Sequence, residues 1–364
     1  MIKSEKIAIY VDSEFAWQDS KTTEGVLRYR GEHVVCIIDS RTSGQDPAAV
    51  LRAKLSARVP IVPDLAAALA YGPDTLLLGL EPMHSELPPK LREAVRTAVG
   101  HGLHVISGLH YFLGNDPELS ALAAAKGVAL WDVRKPPEGA RSARYLPRRP
   151  GTNVVLTVGS DTYVGKMTTT LEMHRTAQLR GVGSEFVATG QIGIMIAHSG
   201  IPADAIRSDF LNGYMDEAVR SASERSDWVF VEGQAALNSP IATGLTLGLL
   251  HGALPDFMVL CHRVADSHVR HYDNCRIPPL TELVEMNETA VNWLHHGRSS
   301  RVVAISLNTA GLDDAEARKT IDRTGWETGL PVTDVVRFGA GPLLDALPGF
   351  PGGTRPGAGD QASQ

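Results

Sequence analysis

Short apolar runs alternate with helix-period segments over most of the chain. In the first third, the runs at residues 6–11, 33–39, 75–80 and 104–108 have the length and apolar content of buried strands. Helix-like segments at 21–30, 63–70 and 88–100 lie between them. In the last of these, Leu91, Val95 and Ala98 recur at helical spacing. Strand and helix in alternation predict a parallel sheet covered on both faces, here an α/β domain of Rossmann-like type over residues 1–135. Asp39 closes its run as an acidic residue does in dinucleotide-binding folds. No G-x-G-x-x-G precedes it, so a nicotinamide cofactor is not expected there.

A second alternating series begins at Asn153. Its predicted strands are 153–158, 185–188, 228–231, 257–261, 302–307 and a last one at 333–338, which gives a second α/β domain over residues 152–348. Residues 136–151, PPEGARSARYLPRRPG, are rich in Pro and Arg, have no period, and read as the linker between the domains. Residues 349–364 are rich in Pro, Gly and Ser and read as a disordered tail.

The first strand of the second series runs into VGSDTYVGKMTTT, and a good helix former follows at 167–180. Strand, Gly-rich loop and helix in this order make a phosphate-binding loop. Gly159 and Gly165 let the backbone turn so that successive N–H groups point inward, and the helix N-terminus adds partial positive charge. Ser160, Asp161, Thr162 and Val164 supply the rest of the loop, and Lys166 is placed to neutralise phosphate. The spelling departs from G-x-x-x-x-G-K-[ST]: five residues separate the glycines, and Met167 follows the lysine. Thr168 is then the nearest hydroxyl for a Mg²⁺ ion. Glu232 ends the run 228–231 at the carboxyl end of a predicted parallel strand, where a metal-binding or proton-accepting acid belongs. Gln234, Asn238 and Ser239 follow it. Gln191 and Gly193, in the Gly-rich stretch after the second strand, are placed to bind a substrate carboxylate or carbonyl. Asp209 is a candidate functional acid, with Asp204 read as a helix N-terminal acid. His251 is a rival base to Glu232, although a lone histidine in an apolar helix end is more often a core residue.

Composition narrows the function classes. Hydrophobic residues make up 43% and charged residues 21% of the 364, and the net charge is −6. That balance gives no footprint for nucleic acid; the nearest basic cluster, Arg141, Arg144, Arg148 and Arg149, falls in the linker. Three scattered cysteines, Cys36, Cys261 and Cys275, predict a reducing compartment rather than a disulfide framework. MIKSEKIAIY has no apolar run after its lysines, which argues against a secretory leader, and no window approaches a membrane span. A cytoplasmic location is expected. Cys261, His262, His268, His271 and Cys275 lack any metal-ligand spacing, so no metal is expected. His295 and His296 read as helix C-terminal residues suited to the dipole. Chain length makes a homo-oligomer the default.

GSDTYVGK together with VEGQ resembles the loop and strand-end elements of dethiobiotin synthetases, whose loop also carries the extra residue. A closer resemblance covers nearly the whole chain. KTTEGVLRY, PGTNVVLTVGSDTYVGKMTTTLEM, ATGQIGIMI, ADAIRSDF, VEGQAALNSPIATGLTLGLLHGALPD and MVLCH, in this order, resemble a bacterial family long described as a domain of unknown function, which includes D-glutamate N-acetyltransferases. That resemblance implies a Rossmann-like N-terminal domain, a P-loop C-terminal domain, and acetyl transfer from acetyl-CoA to the amine of an amino acid, with D-glutamate as the default substrate. On that reading the loop cradles the CoA pyrophosphate, which Met167 does not hinder, and Glu232 accepts the amine proton. A dicarboxylate substrate needs cations, for which Arg207, Arg263 and Arg276 are available. Asn308, at the end of the run 302–307, matches the position that reads adenine in dethiobiotin-synthetase-like folds. The alternatives are an ATP- and Mg²⁺-dependent ligase or kinase, and a non-catalytic nucleotide-binding regulator.

Overall fold

The computed structural model describes residues 6–11, 21–51, 55, 58–80, 86–294 and 299–352. The expected tail beyond residue 352 and the histidines at 295 and 296 therefore lie outside the described residues. The chain forms two compact units: Met1–Pro137 with Gln191–Ala205, and Glu138–Gly190 with Ile206–Gln364. Each contains one six-stranded sheet in which every pairing is parallel.

In the first unit the strands are β1 (Ile7–Tyr10), β2 (Val34–Ile38), β3 (Ile61–Val62), β4 (Thr75–Leu78), β5 (His104–Ser107) and β6 (Leu130–Asp132). Their order, β3-β2-β1-β4-β5-β6, is that of doubly wound dinucleotide-binding sheets. The helices are α1 (Lys21–Arg30), α2 (Pro47–Leu51), α3 (Leu65–Leu69), α4 (Pro89–Gly100) and α5 (Pro117–Lys126). The strands β3 and β6 and the helices α2 and α5 are additions to the elements expected from periodicity. Local side-chain chemistry fixes α5: Asp116 accepts from the Glu118 and Leu119 amides at its start, and Gly127 ends it at φ +66°. Asp39 follows β2, fully buried, and its carboxylate takes the Arg41 amide and the Thr42 hydroxyl.

The second unit contains β7 (Asn153–Gly159), α6 (Lys166–Leu179), β8 (Ser184–Val187), α8 (Ser208–Ser223), β9 (Trp228–Val231), α9 (Thr243–Ala253), β10 (Phe257–Arg263), α10 (Leu280–Val291), β11 (Arg301–Asn308), α11 (Asp314–Thr328), β12 (Val332–Thr333) and α12 (Gly341–Asp345). The intervening α7 (Gln191–Ala197) packs against α1 in the first unit. The order β12-β11-β10-β7-β9-β8 puts β7 between β10 and β9, so three carboxyl strand ends are neighbours. The core of one face joins Met173 and Ala177 of α6, Trp228 and Phe230 of β9, Val259 of β10 and Leu343 and Leu344 of α12. Trp228 meets Phe350 edge-on, with ring centroids 4.8 Å apart.

The last strand is shorter than its apolar run suggested. Asp334 follows Thr333, and its Oδ1 accepts the Val336 and Arg337 amides, which turns the chain at once. Its Oδ2 accepts from the Thr309 amide and hydroxyl and so ties the turn to the end of β11. α10 is followed at once by a 3-10 turn over Asn292–Leu294. No described helix is long and apolar enough to cross a membrane.

Residues 138–151 carry no helix or strand, yet they are tightly bonded along α8. The Tyr214 hydroxyl donates to the carbonyls of Glu138 and Gly139, and the Arg144 and Tyr145 amides donate to Asp216 at 2.9 Å each. This close strap is why position 213 must be glycine: a Cβ there would lie 2.0 Å from the Arg141 carbonyl oxygen. Gly213→Ala is expected to destabilise the protein by about 2 kcal/mol or more, as overpacking against fixed backbone does. A chemical denaturation midpoint measures it. Gly244→Ala, whose Cβ would meet nothing within 4 Å, serves as the neutral or slightly stabilising control.

Candidate active site

The loop from Gly159 to Lys166 is built on close approaches. A Cβ on Gly159 would stand 2.9 Å from Val164 Cγ2 and 3.0 Å from Lys166 Nζ. Gly165 has φ +104°, in the left-handed region, and caps α6. Tyr163 also has positive φ, +62°, and the Arg270 guanidinium lies over its ring at 4.1 Å from the centroid. The Arg270 amide in turn donates to Asp161 Oδ2, and Asp161 Oδ1 takes the Thr162 amide. The segment after β10 is thus bonded onto the loop through one buried carboxylate.

Lys166 is the first residue of α6 and is buried, and its ammonium donates to the Asp161 carbonyl at 2.6 Å. Burial pulls its pKa down to about 8, against the opposing pull of Cys261, Asp161 and Glu232. Met167 and Thr168 are half-buried. The next two hydroxyls serve packing: Thr169 bonds Ser306, and Thr170 bonds Thr157 and the Lys166 carbonyl. Cys261 is buried beside Thr169 with its thiol pushed up to about 11, so it is no nucleophile at neutral pH.

Glu232 stands one residue past β9, buried, and its Oε2 accepts the Thr189 and Gly190 amides at 2.9 and 3.1 Å. Gln234 donates to the Thr189 carbonyl and hydroxyl from the other side. Between them, Gly233 donates to Thr157 Oγ1, and any Cβ at this position would lie 1.7 Å from the Thr157 carbonyl oxygen. The first turn after β9 is therefore pressed flat onto the strand that carries the loop.

The remaining residues singled out from sequence are dispersed. Asn308 ends β11, with its Oδ1 accepting the Ala310 amide and its carbonyl accepting the Val264 amide. Arg207 and Asp209 form an exposed pair at 3.6 Å at the start of α8, a type of ion pair worth little. Gln191 and Gly193 open α7 and belong to the first unit, where Gln191 packs against Gly108. Asp204 sits in a 3-10 turn and pairs with buried Arg134. His251 is half-buried at the end of α9, with Nε2 on the Ala290 carbonyl at 2.9 Å. Among the described residues no group of three or more His, Cys, Asp and Glu is arranged to hold a metal ion.

His262 was weighed from sequence only as a metal ligand, and the structure gives it a different place. It is the penultimate residue of β10, and Cys261 pairs in register with Gly159. The Ser160 amide donates to the Cys261 carbonyl, the Ser160 hydroxyl lies 2.8 Å from His262 Nδ1, and Asn238 donates to the Ser160 carbonyl at 2.8 Å. Ser160 thus joins the ends of β7 and β10 and the turn after β9. Burial lowers the His262 pKa, with Asp266 opposing. The available signal was the strand-end rule that found Glu232, applied one strand further on.

Comparison with known proteins places the chain. Residues 143–344 match the family described as the domain of unknown function DUF1611_C, a P-loop domain, and residues 40–136 match DUF1611_N, a Rossmann-like domain. The chain belongs to this family. A solved DUF1611-family structure from Anabaena variabilis is 38% identical, with a TM-score of 0.85 over 94% of this chain and 98% of that one. Two curated relatives are named D-glutamate N-acetyltransferase. One, from Tritonibacter scottomollicae, is 35% identical, and the other, from a Pseudoalteromonas species, is 31% identical; each match covers 77% of this chain and 83% of the relative. The chain is, by this relationship, an enzyme of the acyltransferase class.

The Lys166 ammonium makes a prediction about anion binding in this P-loop. An anion on Nζ favours its charged form and raises its pKa, so binding takes up a proton between about pH 8 and the raised value. Affinity is then level below that pH and falls above it, by at most about tenfold per pH unit. Calorimetry with ADP from about pH 7 to 10, where its terminal phosphate is fully ionised, should show this decline. Lys166→Arg, always charged, should flatten it. A flat profile in the unsubstituted protein would remove Lys166 from the anion site.

Proposed function

We propose that the chain is an amino-acid N-acetyltransferase that takes acetyl from acetyl-CoA, and that the loop over residues 159–168 grips the pyrophosphate of CoA. The observation that carries this reading is the buried Lys166 at the N-terminus of α6, its ammonium turned back onto the loop, with the hydroxyls of Thr169 and Thr170 in the first helical turn committed elsewhere. A cationic cradle at a helix N-terminus suits a pyrophosphate. Phosphoryl transfer demands in addition a hydroxyl and Mg²⁺ across the phosphates. Met167 occupies the strict hydroxyl position, and Thr169 and Thr170 are spent on Ser306 and Thr157. Acyl transfer asks less of the loop: a firm hold on the donor, a base for the amine and donors for the oxyanion.

D-Glutamate is the first substrate to try, because both curated relatives carry that name. Asn308, at the end of β11, is the proposed adenine contact, with its side-chain amide directed by the Ala310 amide bound to Oδ1. A second reading, an ATP–Mg²⁺ enzyme, keeps one observation in its favour: Thr168 lies half-buried in the first turn of α6 with no hydrogen bond to its hydroxyl among the described residues.

Thiol release from acetyl-CoA across a panel of D- and L-amino acids tests the reading. The expected result is release that depends on an amino acid and is fastest with D-glutamate. Lys166→Ala should raise the KM for acetyl-CoA by about 10- to 100-fold, the worth of one charge-assisted hydrogen bond to phosphate. Thermal stabilisation by ATP–Mg²⁺ but not by CoA, with no thiol release on any amine, would reverse the choice between the two readings.

A further inference from the structure

We propose that His262 accepts the proton of the attacking amine and that Ser160 is its positioning residue. The proposal rests on the N-acetyltransferase reading above and adds the group that makes the amine a nucleophile.

Most polar side chains at the three strand ends are already committed to hydrogen bonds. Asp161 has both carboxylate oxygens on backbone amides, one from Thr162 and one from Arg270. Glu232 uses Oε2 to hold two successive amides, Thr189 and Gly190, and its own carbonyl accepts the Thr189 hydroxyl. These bonds fix the turn at the end of β8. Lys166 is cationic or becomes so when an anion binds. His262 differs. One ring nitrogen, Nδ1, is bonded to Ser160 at 2.8 Å, and Nε2 has no hydrogen-bond partner among the described residues.

With Nδ1–H donating to the Ser160 hydroxyl oxygen, the Nε2 lone pair is free to take a proton. Ser160, which orients the ring through Nδ1, is itself held on both sides, by its amide on the Cys261 carbonyl and by Asn238 on its own carbonyl. Asn238 Oδ1 and the Ser239 hydroxyl are buried without a partner, two further polar atoms beside the same turn. The charged groups on the elements around the end of β10 are Asp161 and Lys166 on the loop, Glu232 after β9, and Arg263, Asp266 and Arg270 on its own continuation. Burial favours the neutral ring, and Asp266 opposes it. A neutral imidazole at pH 7 is the form a base must have.

The substrate ammonium first loses one proton to solvent. The amine nitrogen then forms a bond to the thioester carbonyl carbon, and its second proton passes to His262 Nε2. The C–S bond breaks as the tetrahedral intermediate collapses, and the imidazolium returns its proton to the departing CoA thiolate. The products are the N-acetyl amino acid, CoA thiol and one proton in solution.

The test compares His262→Gln, His262→Ala, Ser160→Ala and Glu232→Gln with the unsubstituted enzyme, each checked for folding by its thermal midpoint. His262→Gln is expected to lower kcat by ~10²- to 10⁴-fold. CoA affinity by calorimetry should stay within about threefold, because the loop is intact. The rise of kcat/KM with pH that reports imidazole ionisation in the unsubstituted enzyme should vanish in that variant. Added imidazole should restore part of the rate to His262→Ala, which a merely structural histidine would not allow. Ser160→Ala should keep the rise and displace its midpoint, and Glu232→Gln should keep it in place. His262→Gln with kcat within about threefold of normal and the same rise would overturn the assignment. So would disappearance of the rise in a folded Glu232→Gln. If the unsubstituted enzyme releases no thiol with any amine, the N-acetyltransferase reading itself falls, a result separable from either.

Discussion

A lysine ammonium buried at the start of α6 sets the terms for the rest of the second unit. Taking a cation out of water is costly, and the depressed pKa of Lys166 records that cost. The cost is bearable because the Asp161 carbonyl accepts from Nζ and because Asp161, Cys261 and Glu232 all favour the charged form. Space for the side chain comes from Gly159, whose absent Cβ would sit 3.0 Å from Nζ. The turn that brings Nζ back onto its own loop needs Gly165 at φ +104°. An ammonium already desolvated and already aimed gains more from an anion than a surface lysine does, since the protein has met the ordering cost in advance.

Parallel pairing then decides which side chains share that environment. Every strand of this sheet runs the same way, so the residues that leave β7, β9 and β10 emerge side by side. Gly233 lies so close to Thr157 that no side chain fits between, and Ser160 is bonded to both the Cys261 carbonyl and the His262 ring. The site is a property of three strand ends, with the loop glycines permitting the approach and the hydroxyls of Thr157, Ser160 and Thr189 fixing it.

Much of this was legible in the sequence, because the signals were local. A strand followed by glycines, a lysine and a helix former identifies the loop, and an acid at the end of an apolar run identifies Glu232. The 88–100 helix follows from apolar residues at helical spacing. What escaped was long-range or carried by a single side chain. The pairing of His262 with Ser160 spans 102 positions, so no window contains both. The run TDVVRF has the apolar content of a strand, but the Asp334 carboxylate captures the next amides and ends it after Thr333. In QIGIMIA the four residues Ile192 to Met195 are all buried, so the segment has no polar face to reveal its neighbours. It packs on α1 in the first unit although the chain up to Gly190 and again from Ile206 belongs to the second.

That last placement gives Glu232 a second meaning. Gly190 is the final residue of one stretch of the second unit and Gln191 the opening residue of α7 in the first. Glu232 Oε2 bonds the amides of Thr189 and Gly190, so it grips the chain at the point where it leaves one unit for the other. Beyond that point α7 and the residues after it are secured independently: Arg30 bonds His198, Trp131 stacks on the same ring at 5.6 Å, and Arg134 pairs with Asp204. A charge that appears beside Lys166 acts on Glu232 as well, since the two side chains interact electrostatically. Glu232 thus fixes the turn after β8 through two backbone amides, while His262 keeps one ring nitrogen outside the hydrogen bonds among the described residues, and this difference in commitment is the physical reason for assigning the proton to His262.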